Sequence, residues 1–415
     1  MERIAETVNK YLLYLITSYV LIDYGLRHTG YSMLASLWDE ILFIIIVGLW
    51  VIWAAIKGIR PIASNLLLPL LLFYAVLVFN FLTRSPEPQI ALTELRALVE
   101  YTFWFFIALN LVSTRQQVKN LLDIFLLVGV LVALYGIYQY ATGAEIPPHW
   151  IDRAETGITT RAFSFIGSPN VLGSFLILNI NIAFASFLAS HHWFKKRVYL
   201  LIAVLALACL VFTLSRGAWL VFFFSFVLLG LWLDKRVIII LLIIVCITPV
   251  VVPSVYNRVA YMLSPEYIQS SSQGGRIALW SQAIDYWQGD PVVGLGMGRF
   301  GGGVAIANFP QSAYSVDNFY IKLAVELGLI GLSAFIYLLL SALRLAKTAL
   351  ERTGDRYLKM VGTGILAGLI GVMGHNMVEN MFEFPLMAVY FWFFLGILVV
   401  LPAVKDDKPG VAVNG

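Results

Sequence analysis

Charged residues whose type and position suit chemistry lie at the ends of long apolar segments. Arg216 lies in Ser215-Arg216-Gly217 with apolar residues on both sides, and almost no loop is available to bring it into water. A charge held close to hydrocarbon costs about 2.5–3.5 kcal/mol on insertion scales, so such a residue is usually paired or functional. Because arginine stays charged and donates two parallel hydrogen bonds to a phosphate, Arg216 is a candidate anion-binding residue.

Two further arginines lie where an anion could bind. Arg276 follows Gly274-Gly275 and opens an apolar stripe, and the start of a helix has free backbone N–H groups that favour an anion. Arg161 lies a few residues before Ser168-Pro169, a pair that suits a helix start. Each also has a simpler interpretation: Arg276 as a surface residue, and Arg161 as a side chain that extends to lipid phosphate.

The candidates for proton transfer are an aspartate, a histidine and a glutamate. Asp317-Asn318 stands directly before an apolar run, where the aspartate can act as a general base or simply cap a helix. His375 and Glu379 share a helix face at i and i+4. They can serve as an acid–base group or bind sugar hydroxyls, or they can be a polar cluster without a role. No second histidine follows at ligand spacing, so we predict no metal site.

Lys322 and Glu326 lie one turn apart within the apolar run that follows Asn318. Opposite charges on one helix face can neutralise each other inside a membrane, and we expect this pairing for both residues.

The glycine-dense run 294–303 is not a nucleotide-binding fingerprint, because no strand–helix–strand unit surrounds it. We interpret it as a mobile loop. We expect no cofactor and no nucleic acid as a partner.

Composition places these residues in a membrane protein. Of the 415 residues, 60% are hydrophobic and 13% are charged, whereas a soluble domain has roughly 25% charged residues. Apolar runs of about 20 residues recur, which predicts an all-α polytopic membrane protein forming one integral membrane domain over residues 1–415. About twelve spans are predicted, at 8–25, 41–56, 62–82, 96–113, 117–141, 169–189, 197–214, 217–233, 236–252, 318–343, 358–378 and 384–402.

A large loop, residues 253–317, separates the ninth and tenth predicted spans. An apolar stripe at helical spacing predicts that this loop carries an amphipathic helix from Arg276 to Asp290-Pro291. The stripe consists of Ile277, Trp280, Ile284 and Trp287.

The distribution of basic residues predicts the orientation. Eighteen of the 28 lie on the side of the N-terminus, and nine, all of them arginines, lie on the other side. By the positive-inside rule, both termini are cytoplasmic and the loop 253–317 is extracytoplasmic.

Taken in order, these motifs resemble the O-antigen ligase and O-antigen polymerase superfamily of bacterial envelope glycosyltransferases. The likeness covers about residues 120–400. The motifs are Arg161 with Pro169-Asn170, Ser215-Arg216-Gly217, Gly275-Arg276-Ile277 with Trp280, Gly294-x-Gly296-x-x-x-Phe300, and Asp317-Asn318 running into Glu326-x-Gly328-x-x-Gly331.

The resemblance implies a donor glycan carried on undecaprenyl diphosphate and a glycan or lipid-linked glycan acceptor. It also implies a protein embedded in the lipid bilayer, with a site outside the cytoplasmic membrane that needs neither nucleotide nor metal. It implies that Arg216 and Arg276 bind the donor diphosphate, with Arg161 nearby. Ligases of this superfamily usually carry a histidine, their candidate base, where this chain has Asp317. The Asp317-Asn318 pair is more similar to the polymerase branch, in which a repeat unit or growing chain accepts the glycan.

We therefore predict a metal-independent, inverting polymerase of O-antigen or exopolysaccharide type, in the bacterial cytoplasmic (inner) membrane. Asp317 is the preferred base, with His375 and Glu379 as the other candidates. The residues expected to support the site are Asn318, Lys322 and Glu326. The alternatives are a ligase that transfers glycan to lipid A-core, a protein O-oligosaccharyltransferase, and a transporter or flippase of lipid-linked glycans.

Overall fold

The computed structural model describes residues 11–30, 32–58, 64–147, 150, 158–310 and 315–405, with the backbone alone for 32–36 and 57. Within these residues the regular structure is helical, so the predicted all-α class is confirmed. The helices are α1 (Tyr19–His28), α2 (Ser32–Lys57), α3 (Leu67–Arg84), α4 (Pro88–Glu100), α5 (Phe103–Leu111), α6 (Arg115–Thr142), α7 (Pro169–Ala189), α8 (Trp193–Phe212), α9 (Arg216–Leu233), α10 (Arg236–Val251), α11 (Pro253–Met262), α12 (Pro265–Gln273), α13 (Arg276–Gly289), α14 (Gly303–Asn308), α15 (Phe319–Arg352), α16 (Arg356–His375) and α17 (Pro385–Val400).

Eight of the described helices are long and apolar enough to cross a membrane, namely α2, α3, α6, α7, α9, α15, α16 and α17. A ninth span is formed if α10 and α11, which meet at a bend of 101°, are taken together. The polytopic membrane fold is confirmed, but the predicted count of twelve spans is not.

The remaining predicted spans differ from the observed helices for local reasons. The predicted span 96–113 is divided between α4 and α5 at Tyr101-Thr102. Helix α8 has the required length but carries three basic residues, 195–197, near its start. The predicted span 8–25 begins outside the described residues. Hydropathy alone therefore predicted spans where the helices are divided or carry several charges.

The core lies around α7, α16 and α17, which are buried along most of their length. Small residues let α16 approach α7 closely: a Cβ on Gly364 would lie 2.6 Å from the carbonyl oxygen of Asn181, and one on Gly368 would lie 3.0 Å from Leu178 Cα. This packing brings the start of α7 and the end of α16 to the same end of the bundle, where α9 and α15 also begin.

Helix α15 is broken at Gly328, whose φ of 65° and ψ of −171° are not helical. The loop 291–296 lies across the break and forms four backbone hydrogen bonds with it. Two N–H groups of the loop donate to α15, and two N–H groups of α15 donate to the loop. The four bonds, from N to O, are Leu295 to Val325, Gly296 to Glu326 and Leu329 to Pro291 at 2.9 Å, and Ile330 to Val292 at 3.3 Å. The break is tolerated here because these four bonds give its backbone groups partners outside the helix.

The interpretation of the glycine-rich run as a mobile loop is wrong, because its glycines serve close contact. Gly294 has a φ of 81°, and a Cβ there would lie 2.5 Å from the backbone of Glu326. Gly296 has a φ of 107°, and a Cβ there would lie 2.1 Å from the carbonyl oxygen of Arg84. Only glycine meets both conditions, so the run packs the loop tightly against α15 and the end of α3.

A helix is confirmed at the predicted position as α13, which begins at Arg276 and ends before Asp290, but its apolar residues are not gathered on one face as predicted. Its inner face differs from the predicted stripe. Trp280, Ala283 and Trp287 pack against a small second core, whereas Ile277 and Ile284 are about half exposed, at 46% and 48%. At 3.6 residues per turn, the two isoleucines lie roughly 70–90° away from the centre of the packed face.

Candidate active site

A cavity of about 1050 Å³ lies at the end of the bundle where α7, α9 and α15 begin and α16 ends. Charged side chains of both signs line it. They are Arg161, Arg216, Arg258, Arg276, Glu266, Asp317 and Glu379. The structure therefore brings together the three arginines predicted to bind or adjoin the diphosphate and two of the three base candidates.

Two of the arginines hold the turn between α8 and α9. Arg161 Nε donates to the carbonyl oxygen of Thr213 at 2.9 Å, and Arg258 Nε donates to that of Leu214 at 3.0 Å. Leu214 has a φ of 51°, a left-handed conformation that persists only where its surroundings stabilise it. The two guanidinium groups provide that stabilisation, and the turn then presents Arg216.

The other donors of Arg161 are also used within the protein. Its Nη1 donates to the carbonyl oxygen of Trp150 at 2.9 Å, and its Nη2 donates to Asn170 Oδ1 at 3.2 Å. Only 5% of the residue is exposed, which does not support the alternative in which it extends to lipid phosphate. Arg161 lies at the cavity, but its geometry favours positioning of the surrounding chain.

Arg216, in contrast, is directed at the cavity by its local structure. It is the first residue of α9, and Ser215 caps the helix by accepting a hydrogen bond from the Ala218 N–H at 3.4 Å. The guanidinium lies over the rings of Tyr267 and Tyr261, with Cζ 4.7 and 5.9 Å from their centroids. Its Nη1 is buried and has no hydrogen-bond partner in the described part of the chain. Such an unpaired donor costs about 1–3 kcal/mol, which a bound anion would offset.

Arg276 joins the two acidic candidates. Its Nη2 donates to Glu379 Oε1 at 2.9 Å, and its Nε lies 3.7 Å from Asp317 Oδ2. Nε has no hydrogen-bond partner among the residues that the structure describes. The three side chains come from the start of α13, the residue before the cap of α15 and the segment after α16, so only the folded bundle assembles them.

Glu379 is held in a largely protonated state. Burial raises the pKa of its carboxyl to about 8, and the nearby Asp317 carboxylate adds to this, against the lowering effects of Arg276 and Arg161. Asn170 Nδ2 also donates to Glu379 Oε1. A carboxyl that is already protonated at pH 7 is a poor general base, so the environment favours Asp317 over Glu379 for that role.

The alternative in which Asp317 only caps a helix is wrong, because Asn318 is the cap of α15. The Asn318 side chain accepts hydrogen bonds from the N–H groups of Tyr320 and Ile321 at 3.1 and 3.0 Å, and donates to the carbonyl oxygen of Met377 at 2.7 Å. Asp317 has a φ of 46° and turns toward the cavity instead. The Ser315 hydroxyl donates to its Oδ1 at 2.5 Å, while Oδ2 is the atom nearest Arg276.

His375 is fully buried and is not among the residues that line the cavity. Its Nδ1 is hydrogen-bonded to Ser174 Oγ at 2.6 Å. A Cβ on Gly217, which does line the cavity, would lie 3.3 Å from His375 Nε2. The imidazole therefore lies one layer below the start of α9, separated from the cavity by the backbone of Gly217.

Lys322 and Glu326 form the predicted pair, with Nζ 3.5 Å from Oε2, but they lie outside the cavity lining. Lys322 Nζ also contacts the carboxylates of Glu94 and Glu383, at 2.5 Å for Glu383. Two of these carboxylates accept backbone hydrogen bonds from the glycine-rich run. The Phe300 N–H donates to Glu326 and the Gly303 N–H donates to Glu383, both at 2.9 Å. The cluster supports the loop beneath the site rather than the cavity itself.

Sequence reasoning missed several residues of the cavity. Arg258 was visible only as one of nine arginines on the predicted outer side, and Asn170 only as part of a motif. Tyr267 and the polar residues of α12 gave no local signal, because a short polar helix between membrane spans looks like an ordinary surface loop.

The described residues thus define a multi-pass helical membrane protein with an arginine-lined cavity at one end of its bundle. Residues 201–336, about a third of the chain, match the sequence model of a family described as O-antigen ligase. The predicted resemblance to the O-antigen ligase and polymerase superfamily is confirmed over these residues. The match supports a bacterial membrane glycosyltransferase of ligase or polymerase type, a class whose substrates are lipid-linked glycans.

The matched segment contains Arg216, Arg276 and Asp317, whereas Arg161, His375 and Glu379 lie outside it. No curated protein matches the chain.

Proposed function

We propose that this protein joins glycans carried on undecaprenyl diphosphate to a sugar hydroxyl, as a polymerase of O-antigen or exopolysaccharide type. The observation that carries the proposal is the cavity in which Arg216, Arg276 and Asp317 meet. Two guanidinium groups suited to a diphosphate lie there beside a carboxylate suited to take a proton. In this proposal the arginines supply the positive charge that stabilises the anionic leaving group, without a metal ion or other cofactor.

In the proposed reaction, the acceptor hydroxyl oxygen attacks the anomeric carbon of the donor. The bond from this carbon to the diphosphate oxygen breaks, the electron pair leaves with the diphosphate, and the hydroxyl proton passes to Asp317. Direct displacement of this kind inverts the anomeric centre. Arg216 and Arg276 stabilise the charge that builds on the diphosphate, because they are already in place before it forms.

Unpaired donor atoms support the assignment of these two arginines. Arg216 Nη1 and Arg276 Nε are both buried without a hydrogen-bond partner in the described residues. Buried polar groups are normally paired, so two such atoms at one cavity favour an anionic ligand that completes them. Arg161 and Arg258, whose Nε atoms donate to backbone carbonyls, have the supporting role of holding the turn before Arg216.

The ligase reaction is the second candidate, because the matching family is described as O-antigen ligase. The two reactions differ in the acceptor. Purified protein given a defined undecaprenyl-diphosphate-linked repeat unit is expected to make longer chains from that donor alone. A product that forms only when lipid A-core is added would favour the ligase. Movement of the donor lipid between leaflets without new glycosidic bonds would contradict both and favour a transporter.

The proposed function also requires an orientation in the inner membrane. In this proposal both termini are cytoplasmic, and residues 253–317 are an extracytoplasmic catalytic segment within a single membrane domain, 1–415. The distribution of arginine and lysine supports this arrangement.

Cysteine labelling tests the orientation at two exposed positions, Ser272 in α12 and Glu351 near the end of α15. In a background without Cys209 and Cys246, an impermeant thiol reagent added to cells with a permeabilised outer membrane is expected to label Ser272→Cys and not Glu351→Cys. Labelling of Glu351→Cys with protection of Ser272→Cys would reverse the orientation and remove the extracytoplasmic site.

The raised pKa of Glu379 predicts how donor binding changes with pH. The carboxyl is mostly protonated at pH 7 and becomes an anion as the pH rises through about 8. The anion then competes with the diphosphate for Arg276, so we expect the Kd for undecaprenyl diphosphate to increase by about ten-fold above this pH. Glu379→Gln cannot ionise and is expected to remove this change, whereas Glu351→Gln, outside the cavity, is expected to keep it. The same pH dependence in Glu379→Gln would contradict the prediction.

A further inference from the structure

One wall of the cavity has a chemistry that a diphosphate does not require. Six residues of α12 line the cavity, and their side chains are a carboxylate, a phenol, two amides and two hydroxyls, with no lysine or arginine. This composition differs from that of the neighbouring segments, which supply the arginines.

Four of the polar side chains of α12 lie on one face. Glu266, Gln269, Ser270 and Gln273 lie at i, i+3, i+4 and i+7, which places them in a single stripe, and all four line the cavity. On the opposite side of the helix, Ile268 is 61% exposed. The stripe faces open space, because Glu266, Gln269 and Gln273 are exposed whereas Ser271 is the residue that the helix buries. A ligand that enters the cavity therefore meets these polar side chains.

The groups of this stripe match sugar hydroxyls. A hydroxyl both donates and accepts hydrogen bonds, as an amide side chain does, and a carboxylate accepts from it. The pKa of Glu266 is lowered by hydrogen bonds from its own backbone N–H and the Ser264 side chain, so Glu266 is an anionic acceptor at neutral pH. The absence of lysine and arginine from α12 disfavours a second phosphate site on this wall.

Tyr267 connects this wall to the proposed diphosphate site. The Tyr267 ring lies 4.7 Å from Arg216 Cζ, and Tyr267 adjoins Glu266 at one end of the polar stripe. Because the first sugar is bonded directly to the diphosphate, a donor held by Arg216 has its first sugars beside α12. We propose, on the basis of the function proposed above, that the polar face of α12 recognises the first sugars of the donor and determines which glycan the protein accepts.

Binding measurements on the full-length protein in lipid nanodiscs test this inference with two probes. One is undecaprenyl diphosphate without sugar, and the other is the lipid-linked glycan extracted from the source bacterium. The double variant Gln269→Ala and Gln273→Ala is expected to bind the glycan-bearing lipid roughly ten-fold more weakly and to bind the bare lipid diphosphate as wild type does. Gln288→Ala, an exposed glutamine of α13 outside the cavity, is the matched control and is expected to change neither affinity.

The outcomes separate this inference from the proposed function. Unchanged binding of the glycan-bearing lipid by the double variant would overturn the role of α12, and so would an equal loss for both probes. Wild-type protein that binds neither lipid would overturn the diphosphate site, and the proposed function with it. Unchanged affinity for the bare lipid also shows that the double variant is folded, since the site is built from several elements.

Discussion

Arg216→Lys is expected to slow glycan transfer by roughly ten- to over a hundred-fold while the protein accumulates and folds as wild type does. Lysine keeps the positive charge but loses the planar fork that donates two hydrogen bonds to a phosphate and lies flat over an aromatic ring. In this structure both losses matter, because Nη1 is buried without a partner in the described residues and the guanidinium lies over Tyr267. Initial rates with a defined donor, and the Kd for undecaprenyl diphosphate, measure the effect.

The matched control is Arg299→Lys, at an exposed arginine outside the cavity, where wild-type rates are expected. Full activity in Arg216→Lys would remove the proposal that Arg216 binds the diphosphate. Arg276→Ala is also expected to lose activity, but it leaves Glu379 and Asp317 without the cation between them. Arg216 is therefore the cleaner test of diphosphate binding.

Local sequence signals were sufficient for the helical class and for Arg216. Long apolar runs predict membrane helices whatever they pack against, and an arginine directly between two such runs has nowhere to be solvated. The residues that support Arg216 have no such signal. Arg258 contacts the turn before Arg216 from 44 positions along the chain, and Lys322 contacts Glu94 across 228 positions. Contacts at these separations depend on the packing of the whole bundle.

The break in α15 illustrates why the glycines were misread. Gly328 entered the sequence analysis only as part of a motif, and the run 294–303 was expected to be mobile. In the structure the loop 291–296 and the break satisfy each other's backbone groups. The sequence of either segment alone does not predict this contact. A helix interruption is stable only when another segment supplies the missing hydrogen bonds.

At Asp317-Asn318 the sequence offers two adjacent capping residues, and the backbone decides between them. Asn318 adopts the extended conformation of a cap, with a φ of −162°, whereas Asp317 has a φ of 46°. Aspartate, asparagine and histidine are the residues other than glycine most enriched at positive φ. Position 317 therefore accepts all three residues without backbone strain. Substitutions among them test the chemistry of the side chain and leave the backbone conformation unchanged.

Asp317→Asn is expected to lower the rate of transfer by about a hundred-fold or more, the usual contribution of a positioned general base. The amide of asparagine does not take up a proton at neutral pH, so the acceptor hydroxyl loses its base. The backbone conformation and the cap of α15 are expected to persist, because asparagine tolerates a positive φ and Asn318 remains in place. The affinity for undecaprenyl diphosphate, measured on the same preparation, separates loss of the base from loss of the fold.

Asp317→His is the companion variant, since a neutral imidazole accepts a proton near pH 7 and histidine is the residue usual at this position in the ligases that the chain resembles. Substantial activity with histidine and little with asparagine would identify proton transfer as the role of this position. Asp285→Asn, on the exposed side of α13, is the control and is expected to have no effect. Wild-type rates in Asp317→Asn would end its assignment as the base. Glu379 would then be the next candidate ahead of His375, because Glu379 lines the cavity and His375 lies behind Gly217.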